Sequence, residues 1–385
     1  MRLAFLINRF YPSGGRQWDL RLFVDELKKR GHDCRVYCIA WPGEPLAGVD
    51  LRRVPARALR SHRREQRFLD WVRTDLARDP VDGVIGFNAM PGLDIYYATD
   101  ACYLDQTLTE RGSFYRRSAR FRHCADWERA VFAPHSDTHI LLTTASERDK
   151  YRQHYNTPPQ RMHLLPPGVA PDRRAPQDAP QDAPRRRKAV RASLGLEPQE
   201  FALLFVASDF ASKGLERAII ALAHLREEQP SVKSRLLVVG QDKPRRYRRL
   251  ARRLGVADGA VFLGGRDDIG DLMLAADLLV HPALTEAVGI VLLEAIAAGL
   301  PVVVTDVCGF AHHVKAARAG ILLPSPFSQE QLDRAVMRYI DGVFRADCRE
   351  SALLYARLTD LYSMHHEGAD LIEQLINQKR GVVDD

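Results

Sequence analysis

No stretch of this 385-residue chain holds the ~18 consecutive apolar residues of a membrane-spanning helix. The apolar run near the N-terminus, Leu3-Ala4-Phe5-Leu6-Ile7, is too short for a secretory signal, and the sequence predicts a protein that stays in the cytoplasm. Cysteine is scarce, six in all, at positions 34, 38, 102, 124, 308 and 348. Cys34 and Cys38 stand too far apart for C-x-x-C, and no Cys/His cluster has zinc spacing, so the expectation is reduced core thiols and no metal site. The pattern G-x-G-x-x-G is missing, which removes the nicotinamide fingerprint.

Positive charge is present in modest excess, with 56 Lys and Arg against 49 Asp and Glu. A net charge of +7 points to an anionic partner: nucleic acid, membrane surface or phosphorylated substrate. Nucleic acid is the weakest of these, because no recognition motif accompanies the basic residues. The arginines are unevenly spread. Arg111 to Ala125 contains five of them and no acid, with Phe114, Phe121, Ala125 and Phe132 on one stripe at helical spacing. Such a helix suits an anionic lipid surface, with Phe114, Arg116, Arg117, Arg120 and Phe121 as the contact candidates. It equally suits a core-packed stripe with a solvated basic face.

The 46% apolar content fits a globular protein, and the length suits two domains. Strand-like runs at Leu3–Ile7, Cys34–Ile39, Val84–Phe87, Ile95–Thr99 and His139–Thr143 alternate with helical segments. A second alternating series begins at Leu203–Val206 and continues through Leu236–Val239, Val261–Leu263, Leu278–Val280 and Val302–Val304. Alternation of this kind predicts an α/β protein with two doubly wound parallel sheets facing across a cleft. The expected domains are 1–170 and 201–350, a linker or loop at 171–200 marked by the repeat Ala175-Pro-Gln-Asp-Ala-Pro-Gln-Asp-Ala-Pro184, and a segment 351–385 that ends in a helix crossing back to the first domain.

The chemistry-bearing residues gather after strands. Glu286-Ala-Val-Gly-Ile-Val-Leu-Leu-Glu294 follows Leu278–Val280 and places two carboxylates eight apart, a little over two helical turns. A helix beginning there offers free backbone N–H groups and its dipole to a phosphate, and a carboxylate further along accepts from sugar or ribose hydroxyls. The alternative is a surface helix with two unrelated acids. Lys213-Gly214 follows the first strand of the second series and suits a phosphate contact, or is a solvated lysine. Gly264-Gly265-Arg266-Asp267 follows the third strand and either borders the same cleft or caps the next helix through Asp267. In the first half, Gly14-Gly15 opens a helix at the first strand-to-helix turn, and Asp19 lies one turn in. There is no Asp-x-Asp, the usual divalent-cation anchor for a nucleotide diphosphate, so leaving-group charge must be met by helix dipoles and basic side chains.

These residues resemble the retaining glycosyltransferases of family four, and within them the bacterial lipopolysaccharide core glucosyltransferases. The matching stretches run from end to end: Phe10-Tyr-Pro-Ser-Gly-Gly15, Gly86-Phe-Asn-Ala-Met-Pro-Gly-Leu-Asp94, Leu165-Pro-Pro-Gly168 with Pro171-Asp-Arg173, Val238-Val-Gly-Gln-Asp-Lys-Pro244, and Ala275-Ala-Asp-Leu-Leu-Val-His-Pro282 through Gly299-Leu-Pro-Val302. The resemblance implies the two-Rossmann GT-B fold and a metal-independent transfer from UDP-glucose with retention, no cofactor being required. It implies that Glu294 holds the ribose, that Glu286 faces the donor sugar, and that Lys213 with the N–H groups of Gly289 and Ile290 holds the diphosphate, with Gly15 across the cleft. Asp19 and Arg173 fall on positions near the donor. Asn88 and Asp100 are acceptor candidates. Glu286, Lys213 and Asp19 are the expected catalytic set. The implied acceptor is a heptose of the lipopolysaccharide inner core, reached from the inner face of the inner membrane.

The chain departs from the family in carrying Ser212 where the family has arginine before the lysine. One positive charge on the leaving diphosphate is then lost, or supplied by Arg266 or Arg173. Two rival readings follow: a related transferase using another UDP-hexose, a UDP-N-acetylhexosamine or another acceptor, and a non-catalytic nucleotide-sugar-binding scaffold at the membrane.

Overall fold

Short runs of Leu, Val, Ile and Phe form the interior strands, as in Phe201-Ala-Leu-Leu-Phe-Val206, where the first five residues are fully buried. A strand covered on both faces has to read this way. A computed structural model describes residues 1–10, 15–170 and 182–381. The chain divides into two units, Met1–Pro166 together with the C-terminal residues from Ser363, and Pro167–Tyr362.

The first unit contains β1 (Arg2–Leu6), β2 (Asp33–Cys38), β3 (Asp50–Arg53), β4 (Gly83–Gly86), β5 (Ile95–Ala98), β6 (His139–Leu142) and β7 (Met162–Leu164). They form one parallel sheet in the order β3-β2-β1-β4-β5-β6-β7. The second unit contains β8 (Phe201–Val206), β9 (Ser234–Val239), β10 (Ala260–Gly264), β11 (Leu278–His281), β12 (Val302–Thr305) and β13 (Gly320–Leu323). Its sheet is also parallel, in the order β10-β9-β8-β11-β12-β13. Both sheets reverse direction beside their first strand, and ligands of doubly wound sheets bind outside the carboxyl ends of the strands at that switch point. It lies between β1 and β4 in the first unit and between β8 and β11 in the second.

Three strands escape the sequence reading: β3, β7 and β13. Each is a sheet edge. Asp50-Leu-Arg-Arg53 needs no apolar run, because Arg35 and Arg52 neutralise Asp50 and Asp79 beside it.

The last helix, Met364–Arg380, belongs to the first unit. Its Ile372, Leu375 and Ile376 are buried with Leu3, Phe5 and Phe23. Gly368 makes this packing close, since a Cβ there would sit 2.5 Å from the Phe23 ring. Polar ties reinforce it: Arg30 donates to Glu373 at 2.8 Å and also meets Asp370.

Two expectations need correction. Residues 171–200 are not wholly a linker, because Asp182–Ser193 is a helix of the second unit. It has little apolar period, and arginines hold it instead: Arg187 and Arg191 pair with Asp277 at 2.7 and 3.3 Å. The repeat from Ala175 falls mostly on 171–181, outside the described residues. The region Arg111–Ala125 is likewise not one helix. A short turn at Tyr115–Arg117 precedes a helix at Ala119–Phe132, which Ser118 caps by accepting from Phe121 N at 3.1 Å. The expected stripe is therefore broken. Ala125 and Phe132 are buried, Phe121 is half-buried against Tyr103, and Phe114 is 83% exposed.

Candidate functional site

The loops leaving β8 and β11 meet at the switch point of the second sheet. Gly214 permits this. It has φ +77°, and a Cβ would lie 2.1 Å from the carbonyl oxygen of Pro282. Backbone bonds clamp the two loops: Leu284 N donates to Ser212 O at 2.7 Å. Arg217, in the first turn of the following helix, donates to the carbonyls of Pro282 and Ala283 at 3.0 and 3.1 Å while stacking over Phe327. Gly214→Ala is accordingly expected to lower the thermal midpoint by several degrees, for a clash and a disfavoured φ of roughly 1–3 kcal/mol. Thermal denaturation reads it directly, and an unchanged midpoint would refute this packing argument.

The junction brings Lys213 to Glu286. Lys213 Nζ lies 2.9 Å from Glu286 Oε2 and donates to Thr285 O at 3.1 Å. His281, buried at the end of β11, places Nε2 3.5 Å from the same carboxylate oxygen. That is ion-pair range but long for a hydrogen bond. Burial pushes the Glu286 carboxyl up, but His281 and the Lys213 charge outweigh it and hold the group at about 2. The Lys213 charge beside it thus favours the ionised carboxylate of Glu286, a form that can accept from hydroxyls.

Gly289 has φ +85° and caps the helix Ile290–Ala297, so the free N–H groups of that helix open beside Glu286. A Cβ on Gly289 would lie 3.3 Å from Glu286 Cγ. Glu294 follows on the same helix and is half-buried. The loop is pinned from behind, with Gly309 N and Phe310 N donating to the carbonyls of Glu286 and Val288.

Other expected site residues stand differently. Arg266 is gripped by its neighbour Asp268, with Nε and Nη2 donating at 2.8 and 2.6 Å, so replacing the charge lost at Ser212 would mean breaking that pair. The cap of the next helix is Asp268, not Asp267. In the first unit, Asp19 accepts from Tyr97 Oη at 2.9 Å and pairs with His365 Nε2 at 3.0 Å, which ties the last helix to the first. Asn88 Oδ1 accepts from Asn8 N at 2.9 Å and joins the loops after β1 and β4 at the switch point of that sheet. Asp100 pairs with Arg16, whose Nε donates to Thr99 Oγ1. Gly15 begins its helix, and a Cβ there would meet nothing within 4 Å. Gly14 and Arg173 lie outside the described residues. Sequence reasoning missed Arg217 and His281. His281 was visible as a polar residue ending an apolar strand. Nothing local distinguishes Arg217 from a surface arginine.

Two doubly wound α/β domains, the second with Lys213 and Glu286 in contact at its switch point, make up the GT-B fold. The family described as Glycosyltransferase Family 4 matches residues 14–173, and that described as Glycosyl transferases group 1 matches residues 186–353. The lipopolysaccharide glucosyltransferase WaaG of Escherichia coli is 42% identical over 373 residues, covering 97% of this chain and 98% of that protein. The crystal structure of WaaG superposes with a TM-score of 0.93, covering 96% of this chain and 99% of that one. Anabaena HepE in complex with UDP-glucose, at 18% identity and a TM-score of 0.74, shares the fold over 97% of this chain. A D-inositol 3-phosphate glycosyltransferase of Streptomyces bingchenggensis is 34% identical over 195 residues, 48% of this chain and 41% of its own length. The chain belongs to glycosyltransferase family 4.

Proposed function

We propose that the chain transfers α-glucose from UDP-glucose to a heptose of the lipopolysaccharide inner core, with retention and without a divalent metal. The observation that carries this reading is the Lys213–Glu286 contact beside the open N-terminus of the helix bearing Glu294. Identity of 42% along almost the whole length of WaaG supports glucose as the sugar and lipopolysaccharide as the acceptor. The diphosphate rests on the helix N–H groups, with Lys213 as its point charge. Glu286 orients the sugar by accepting from its hydroxyls, and Glu294 accepts from the ribose. The acceptor hydroxyl attacks from the face the diphosphate leaves, and a diphosphate oxygen takes its proton.

A donor screen with purified heptose-containing core tests this reading. UDP release from UDP-glucose in the presence of acceptor is the expected result. Release only from UDP-galactose or a UDP-N-acetylhexosamine selects the related transferase. Binding of UDP with no release from any donor selects the scaffold reading, which Ser212 motivates.

Metal independence has its own outcome. Turnover should survive EDTA, and a tenfold loss restored by magnesium would contradict the proposal.

We place the enzyme peripherally on the inner face of the inner membrane. No helix among the described residues is long and apolar enough to cross a membrane. Phe114, Arg116, Arg117 and Arg120 are all exposed, and the Arg117 guanidinium lies 5.5 Å from the centre of the Phe114 ring. Each arginine near an anionic surface contributes on the order of 1 kcal/mol, falling off within a Debye length. Changing Arg116, Arg117 and Arg120 to Ser should abolish flotation with anionic vesicles and leave UDP affinity intact. A variant that still floats would place the contact elsewhere.

A further inference from the structure

The second unit has a cavity at the other end of its sheet. It lies beneath the amino ends of β11 and β12, whereas Lys213 and Glu286 follow the carboxyl ends of β8 and β11. One wall is the helix Gly342–Leu358, whose Gly342, Arg345, Arg349 and Leu353 recur at helical spacing. The other is the helix Asp182–Ser193, through Pro184 and Arg187. The floor is Ala276, Asp277 and Pro301, and the volume is about 560 Å³.

Four arginines line this space, Arg187, Arg345, Arg349 and Arg357, against the single carboxylate of Asp277. That carboxylate is already shared. Arg187 takes Oδ1 at 2.7 Å, Arg191 takes Oδ2 at 3.3 Å, and Arg345 reaches only to 3.8 Å. Arg187 is further fixed by the carbonyls of Leu274 and Ala276, both at 2.6 Å, and Arg345 by the carbonyl of Tyr339 at 2.5 Å. Arg349 is half-buried and, among the described residues, has no carboxylate in ion-pair range. Gathering guanidinium groups around one acid in a partly desolvated space is unfavourable unless a further anion completes it.

We propose that this cavity is a second ligand site, which binds a multiply charged anion of the phosphate class through Arg345 and Arg349. Arg187 and Asp277 form the fixed frame, Arg349 supplies a planar donor fork suited to phosphate oxygens, and Arg345 adds the donors left over from its bond to the Tyr339 carbonyl. Burial depresses the Arg349 and Arg187 guanidinium groups below the usual arginine range, and an anion would relieve that. The shared chemistry has two sources, a soluble phosphate or the phosphate of a lipid headgroup.

Titration calorimetry with inorganic pyrophosphate at constant ionic strength tests the site on the full chain, the Lys213→Ala variant and an Arg345→Gln/Arg349→Gln variant made in the Lys213→Ala background. Saturable binding is expected to persist in Lys213→Ala, which separates it from the proposed donor site, and to weaken at least tenfold in the arginine pair. Unchanged affinity in the arginine pair, or no saturable binding in Lys213→Ala, overturns the proposal. If the double variant fails to fold, Arg349→Lys keeps the charge and loses the fork, and several-fold weakening is expected. Unchanged affinity there overturns the proposal too. Vesicles of phosphatidic acid, used with the Arg116, Arg117 and Arg120 to Ser variant, distinguish the sources. Flotation that pyrophosphate displaces assigns the site to a headgroup, and displaceable pyrophosphate binding without flotation assigns it to a soluble phosphate.

Discussion

Lys213→Ala is expected to lower kcat with UDP-glucose by roughly 100-fold or more, the usual effect of removing one preorganised group from developing charge. KM should change far less, because the negative charge on the leaving diphosphate grows as the glycosidic bond breaks. The geometry supports this expectation. Gly214 and the Ser212–Leu284 bond fix the loop, and Glu286 and Thr285 orient the ammonium group. With serine at 212 and Arg266 held by Asp268, Lys213 is the lysine or arginine that the two loops bring to the helix N-terminus. Ser212→Arg should then be neutral or faster. Steady-state kinetics on both variants decides it. An Ala variant with unchanged kcat, or a Ser212→Arg variant that is folded and inactive, would show that the loop does not serve the diphosphate.

Glu294→Ala is expected to weaken UDP and UDP-glucose alike by about 1.5–3 kcal/mol, roughly 10- to 150-fold, because a charged hydrogen bond to the ribose would be lost. The effect should sit in binding and not in turnover, since the ribose does not change during the reaction. Glu286→Ala should show the opposite pattern, costing turnover more than UDP affinity. Calorimetry with UDP separates the two. Unchanged UDP binding in the Glu294 variant would remove that residue from the ribose.

The interior of both sheets was legible because parallel strands buried on both faces leave continuous apolar runs, as in Phe201–Val206. Three of the four edges were not: β3, β7 and β13 answer to one neighbour each, and of the edge strands only β10 was visible, as Val261–Leu263. The helix Asp182–Ser193 was hidden for a related reason: its attachment is Arg187 and Arg191 on Asp277, which lies over eighty residues away in sequence. At the site, the spacing of Glu286 and Glu294 and the Lys213-Gly214 pair were readable, and the fold sets Lys213 against Glu286 at 2.9 Å. What could not be read was partnership. Asp19 read as facing the cleft or merely favouring the helix dipole, and its pairing with Tyr97 and His365 had no local signal. Arg266 looked like a spare charge and is bound by Asp268. Such pairings depend on which loops the sheet order makes adjacent.

If the Lys213–Glu286 junction works as proposed, glucose is transferred with its α configuration retained and without a metal. Incubating the enzyme with UDP-glucose and heptose-terminated core in EDTA, then reading the anomeric proton of the product by NMR, tests it most directly. An α-glucosyl product formed at the same rate with and without EDTA is the predicted result. A β-linked product, or no product until a divalent cation is added, would contradict it.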